Sequence, residues 1–272
     1  MQNFSLELLF QIIGIGAASG LVYHENSLFV ISDNSSFLYE YNISKAFLNK
    51  IPLQENSQEN TPKKEKLDFE AITLKDNKLY VFGSGSTKQR EIKFTYDLTN
   101  KKVAAENFSK LYQKIRKATS IVDYDLNIEG VFFKGKKWYF FQRGNGGSAK
   151  NGIIILEEET DKIEFVTVHL PKINAVEASF TDAILVGETI YFLAAAENTN
   201  STYDDGEVLG SIIGAISFET FKITATQQIS ESKKFEGLTL YKETDATISF
   251  LLCEDNDTDT LISDIYELKI QK

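Results

Sequence analysis

Five times along the chain a polar residue is followed by an alternating apolar strand, a polar turn and a second strand. In four of the five the offset is fixed. Ser19 precedes Phe29 by ten residues, Glu70 precedes Tyr80 by ten, Glu129 precedes Tyr139 by ten, and Thr181 precedes Tyr191 by ten. Glu236, in "KFEGLTLY", opens a fifth unit with a longer turn through "KETDATISFLL". The five anchors are 51, 59, 52 and 55 residues apart, and the interval from Glu236 through the chain ends to Ser19 is again 55. A repeat of about 54 residues that closes on itself describes a ring of four-stranded blades. The expected architecture is therefore all-β, a single five-bladed β-propeller spanning residues 1–272.

Strand chemistry agrees with that reading. "KLYVFGSG", "KWYFFQRG" and "TIYFLAAA" alternate and are rich in Tyr, Phe, Val and Ile. Only "ENFSKLYQKIRKA" carries a helical period, with Phe108, Leu111, Tyr112 and Ile115 on one face. It falls in the 59-residue interval, so a short helical insertion is expected near 106–118. The apolar "LELLFQIIGIGAA" has no basic segment before it and is interrupted by Glu7, so it reads as a buried strand rather than a signal peptide. Pairing of the N-terminal strand with the C-terminal blade would close the ring and remove an edge.

The first strand of a propeller blade lines the central channel, so the anchors form a ring in which Glu70, Glu129 and Glu236 face one another with Ser19 and Thr181 between them. Three carboxylates in a narrow channel resist desolvation unless a cation or protons neutralise them. With one cysteine and two histidines the chain offers oxygen ligands, which select hard cations. Calcium, held by Ser19, Glu70, Glu129, Thr181 and Glu236, is the expected cofactor. The net charge of −10 argues against nucleic acid and anionic membranes as partners. No apolar run reaches the roughly 20 residues of a membrane span. A cytoplasmic monomer acting on a small anionic substrate or another ligand is the expectation, with export open if the chain is processed.

The anchors, with "SGLVYHENSLFVISD", "DFEAITLKDNKLYVFGSG", "NIEGVFFKGKKWYFFQRG" and "KFEGLTLY", resemble the calcium-activated nucleotidase (apyrase) family. The resemblance implies a five-bladed propeller with calcium in its channel and a ring of Ser, Glu, Glu, Ser and Glu, matched here except for Thr181. More loosely, the "EGL" strand starts look like those of phytase-like esterase and lactonase-type calcium propellers. The substrate-facing positions depart from the nucleotidase pattern. Ser32, Asp33 and Asn34 stand where the family has Asp-Asp-Arg, Gln142, Arg143 and Gly144 where it has paired arginines, and Ala195 where it has a lysine. Fewer cations are left to hold a polyphosphate.

Asp33, Ser84, Arg143 and Glu197 follow the second strands, where loops surround one channel mouth. They are ordinary turn residues or the working residues of a site. In the second case Asp33 and Glu197 assist proton transfer, and Arg143 and Ser84 contact the substrate. "GSGST" at 83–87 and "RGNGGS" at 143–148 are either anion cradles or hairpin turns. "GVFFKGKK" lacks the last residue of a phosphate loop and reads as strand-turn-strand. "DNDTD" at 255–259 lacks the glycine and glutamate of a calcium loop and reads as a turn. No serine-hydrolase elbow is present and neither histidine has a triad setting. Two functions follow: a calcium-dependent hydrolase of phosphoanhydrides or esters, or a noncatalytic ligand- or protein-binding propeller with a structural metal.

Overall fold

In the computed structural model, residues 3–199, 206–255 and 260–272 are described; most of "DNDTD" lies outside them. Five four-stranded antiparallel sheets are arranged as blades. Blade 1 runs through Ala18–His24, Ser27–Ser32, Phe37–Asn42 and Phe47–Pro52, and blade 2 through Phe69–Lys75, Lys78–Gly83, Ile92–Asp97 and Val103–Asn107. Blade 3 comprises Ile128–Lys134, Lys137–Gln142, Gly152–Glu157 and Ile163–Thr167, and blade 4 Ser179–Val186, Thr189–Glu197, Val208–Ser217 and Ile223–Ser230. Blade 5 takes Lys234–Glu243, Thr247–Asp255 and Ile262–Gln271 from the C-terminal part of the chain and Phe4–Ile13 as its outermost strand. Phe4 pairs with Ile270 and Ile13 with Ile262, so the ring closes as expected. That strand is not buried as the sequence suggests: Leu8, Leu9 and Ile13 are exposed, because an outermost strand packs one face only.

The ring is continuous. Each blade's first strand contacts the first strands of the blades on both sides, the fifth touching the first. Five apolar clusters fill the five gaps between blades, with phenylalanines as the main filling: Phe69 and Phe94 meet edge to face, as do Phe141 and Phe180. Burial of such side chains contributes roughly 1.5–3 kcal/mol each, which makes the gaps between blades, rather than the channel, the seat of stability.

The insertion between blades 2 and 3 is a helix, Ser109–Thr119. Tyr112 and Ile115 are buried beneath it, and the Tyr112 hydroxyl donates to the Gly83 carbonyl at 2.6 Å. Ser120 ends it in the left-handed region. Gly85, at φ +80°, lies so close to the Tyr112 ring that a Cβ would sit 2.2 Å from it. The glycine of "GSGST" therefore serves the packing of this helix. In "RGNGGS" the Gly144 and Ser148 amides donate to Asn151 and Asp125. "GVFFKGKK" is strand-turn-strand, as read.

A register defect sets the channel. In every blade the pairing of the first two strands slips at one residue, and the five residues skipped are Ser19, Glu70, Glu129, Thr181 and Glu236. A bulge bends the strand and re-aims the extra side chain. The residue that follows must fit closely: a Cβ on Gly130 would lie 2.7 Å from the Ala183 amide, and one on Gly237 2.6 Å from the Cys253 sulfur. The recurring polar-then-small pattern is thus the trace of a fivefold bulge. Blade 4 breaks it with Asp182, whose buried carboxylate accepts the Ala183 and Leu238 amides at 2.7 Å each.

Candidate metal and charge centre in the channel

The bulged residues divide by chemistry. Ser19 donates its hydroxyl to the Phe69 carbonyl of blade 2, and Thr181 donates to the Phe235 carbonyl of blade 5 at 2.6 Å. Both hydroxyls are fully buried, and both lock the peptide just before a bulged glutamate. The three glutamates enter a network of charges instead. Glu129 accepts from Asn127 at 2.7 Å and from Arg143 at 3.2 Å. Glu236 lies 2.8 Å from the Lys234 ammonium, which also reaches Glu197 at 3.2 Å and Asp255 at 3.3 Å. Glu70 has Asp33 and Asp68 beside it, with one carboxylate oxygen from each of the three lying within 4.8 Å of the others.

Strand register places the mouth residues at the same end. Ser32, Gly83, Gln142 and Glu254 pair with residues next to the bulges, so Asp33, Ser84, Arg143 and Asp255 leave the second strands beside the ring. Asp33 binds Lys66 at 2.5 Å. Ser84 is buried, and its hydroxyl donates to Asp68, which Arg90 also holds at 2.8 Å. Arg143 is buried between Glu129 and Glu197, 2.8 Å from the latter. The structure therefore gathers all nine residues expected from the sequence around one end of the channel. Six were not anticipated: Lys66, Asp68, Arg90, Asp182, Lys234 and Asp255. Lys234 had a visible signal, since it stands two residues before Glu236.

Among the described residues, and apart from Asp182, whose carboxylate is met by two backbone amides, seven carboxylates (Asp33, Asp68, Glu70, Glu129, Glu197, Glu236 and Asp255) face four cations (Lys66, Arg90, Arg143 and Lys234), an excess of three negative charges. The excess is uneven. Burial alone would raise Glu197, but Arg143 and Lys234 together hold it below the usual range. Burial raises Glu129, and Arg143 and Lys234 only partly oppose it. Glu236 is pushed well up by burial, because Lys234 is shared and Asp255 and Glu129 are near. Glu70 is pushed well up by burial and then by Glu129, Glu236, Asp68 and Asp33, with no cation acting on it to comparable effect. Asp33 is raised to about 6, chiefly by burial, against the pull of Lys66. Three carboxylate oxygens, Asp33 Oδ1, Glu70 Oε2 and Glu129 Oε2, are buried without a hydrogen-bond partner among the described residues. Glu129 is only 1% exposed. Orphaned anionic oxygens of this kind call for a proton or a cation.

Residues 14–270 match the model of a family of unknown function, DUF6929. The chain belongs to that family. No curated protein matches the sequence. Among solved structures, the chain is similar to the glutaminyl cyclase of Myxococcus xanthus, with a TM-score of 0.56 and 12% identity over 98% of this chain and 97% of that one. It is also similar to the major Malassezia sympodialis allergen Mala s 1, with a TM-score of 0.57 and 9% identity over 95% of both chains. At these identities the likeness is one of fold. The matching family model is not that of the calcium-activated nucleotidases, so the resemblance carried by the anchors extends to the five-bladed propeller. No helix among the described residues is long and apolar enough to cross a membrane.

Proposed function

We propose that the protein is a cation-binding propeller, with calcium as the first-choice ion, held at the channel end by Glu70 and Glu129 together with Asp33 and Asp68. The observation that carries this reading is the set of buried, unpartnered oxygens on Asp33, Glu70 and Glu129 within a network short of three positive charges. Donors that are all carboxylate oxygens suit a hard ion. The proposal narrows the five-residue ligand ring. Ser19 and Thr181 act as donors to the next blade, and Glu236 has Lys234.

A binding role has more support than phosphoanhydride hydrolysis. Lys66, Arg90, Arg143 and Lys234 are each committed to a carboxylate, so Arg143 is not available to hold a phosphate without giving up Glu129 or Glu197. One observation favours a second reading, hydrolysis of an ester or other uncharged carbonyl. Asp33, raised to about 6, suits proton transfer near neutral pH. The fold likeness to a glutaminyl cyclase, a propeller that is an enzyme, is compatible with that reading. When bound, the ion would polarise a substrate oxygen, while Asp33 would accept a proton and Lys66 would hold it in place.

Isothermal titration of chelator-treated protein with calcium tests the first reading: one site per chain is expected, and no heat or thermal shift with calcium, magnesium or manganese rejects it. A panel of esters, lactones and nucleotides assayed with calcium and with chelator tests the second. Turnover that disappears in Asp33→Asn even at calcium concentrations that saturate the variant would support it.

A further inference from the structure

Outside the channel, the helix insertion leaves a cleft of about 410 Å³ between blades 2 and 3. Aromatic rings form its walls. Tyr80 and Phe82 come from the second strand of blade 2, Trp138 and Phe140 from that of blade 3, and Phe108 and Leu111 from the start of the helix. The rings meet edge to face: Tyr80 and Trp138 centroids are 5.2 Å apart, and Phe82 lies 5.2 Å from Phe140 and 5.7 Å from Trp138. A cleft of this size, with an aromatic wall on one side and a rim of charged and amide side chains, has the make-up of a site for an amphipathic small molecule.

The polar groups at the rim decide what kind of molecule fits. Both wall carboxylates are already satisfied. Glu158 accepts from Lys75 at 3.1 Å and from the Trp138 indole, and Asp161 binds Lys114 of the helix at 2.5 Å. Lys93 binds Glu106 at 2.7 Å while its ammonium lies 4.7 Å from the Phe108 ring centroid. Lys110, exposed on the first turn of the helix, has no partner among the described residues. A chain of net charge −10 thus presents a surplus positive charge at the lip of an aromatic cleft.

We propose that this cleft binds a flat aromatic anion, a carboxylate or sulfonate, with its rings between Trp138 and Phe108 and its charge at Lys110. This inference does not rest on the channel ion. Trp138 is the only tryptophan in the chain, so its emission reports on the cleft alone. The probe is 8-anilinonaphthalene-1-sulfonate, and the neutral N-phenyl-1-naphthylamine is the control of similar shape.

The anion is expected to quench Trp138 saturably at one equivalent per chain. Lys110→Glu replaces an exposed attraction with a repulsion, so affinity for the anion should fall by roughly 2- to 30-fold. Affinity for the neutral control should be unchanged by that substitution. Leu111→Asp, in the wall, should weaken both dyes, with the melting temperature confirming that each variant is folded. Dye fluorescence that rises without quenching Trp138 would place binding elsewhere and overturn the proposal. So would absence of saturable quenching up to about 1 mM dye, or equal loss of both dyes in Lys110→Glu.

Discussion

Replacing Glu70 with glutamine should make the metal-free protein more stable and abolish its response to calcium. Carboxylate oxygens of Asp33, Asp68 and Glu70 lie within 4.8 Å of one another. At that distance two unit charges repel by roughly 3 kcal/mol at an effective dielectric constant of about 20. Lys66 on Asp33 and Arg90 on Asp68 cancel much of this, leaving a residual of the order of 1 kcal/mol, together with a buried Glu70 oxygen that has no donor. The substitution removes the charge, and its carboxamide can donate to the neighbouring carboxylates. The metal-free variant should therefore melt about 2–4 °C above metal-free wild type. For wild type, calcium at about a hundred times its dissociation constant adds about 2.7 kcal/mol, worth a further rise of several degrees. The variant should show little of it. Differential scanning calorimetry of both proteins, in chelator and in excess calcium, gives the four values needed. If the metal-free variant is less stable than wild type, Glu70 is compensated by a contact within the fold, and the charge argument fails. If both proteins respond equally to calcium, the ion does not bind at Glu70.

Three further outcomes are expected. Arg143→Met should destabilise the metal-free protein by about 3–5 kcal/mol, since it strands Glu129 in a buried site and leaves Glu197 to the shared Lys234, and excess calcium should restore part of the loss in denaturant titrations. Asp33 is raised from 3.8 to about 6, so the folded state holds its proton more tightly than the unfolded one. Its stabilising contribution is complete below about pH 4 and is lost as pH rises through 6, by at most about 3 kcal/mol. Unfolding free energies measured from pH 4 to 7 should show this decline in wild type and a smaller one in Asp33→Asn. Thr181→Val leaves the buried Phe235 carbonyl without its donor and should cost about 1–3 kcal/mol, with the calcium-induced shift in melting temperature preserved.

The sequence displayed the fold because the bulge has a fixed position in each blade. The skipped residue and the ten-residue offset to the facing strand are local and repeat in four blades, and a small residue follows the bulge in every blade but the fourth. Blade 5 is longer: Leu251, which pairs with Thr239, lies fifteen residues after Glu236, and a second register slip near Lys242 interrupts its hairpin. That extra length concealed Asp255, which occupies the place held by Asp33, Ser84 and Arg143 in other blades. The partners of the ring were hidden for another reason. Arg143 meets Glu197 across 54 positions and Asp33 meets Lys66 across 33. Such pairings depend on how neighbouring blades approach, and no periodicity within a strand encodes them. From the sequence Arg143 reads as a substrate contact at the mouth, because sequence shows the charge and not the two buried carboxylates that surround it.

The hydroxyl members of the ring have a part in positioning its charged members. Ser19 holds the carbonyl of Phe69, so the peptide that leads into Glu70 is fixed from blade 1. Thr181 holds the carbonyl of Phe235 in the same way, fixing the peptide that leads into Glu236 from blade 4. Glu129 has no hydroxyl anchor behind it; instead the Ile128 amide donates to the Ser84 carbonyl of blade 2 at 2.9 Å, and Asn127 grips the carboxylate directly. Each glutamate is thus oriented by the blade before it, so closure of the ring and assembly of the charge centre are one event. With its backbone held this way, a bulged glutamate can relieve repulsion from its neighbours only by rotating its side chain within a buried site. The surplus charge must be met from outside the chain or by protons, which is why the channel end, and not the better-packed gaps between blades, is where an ion is expected to change the stability of the whole ring.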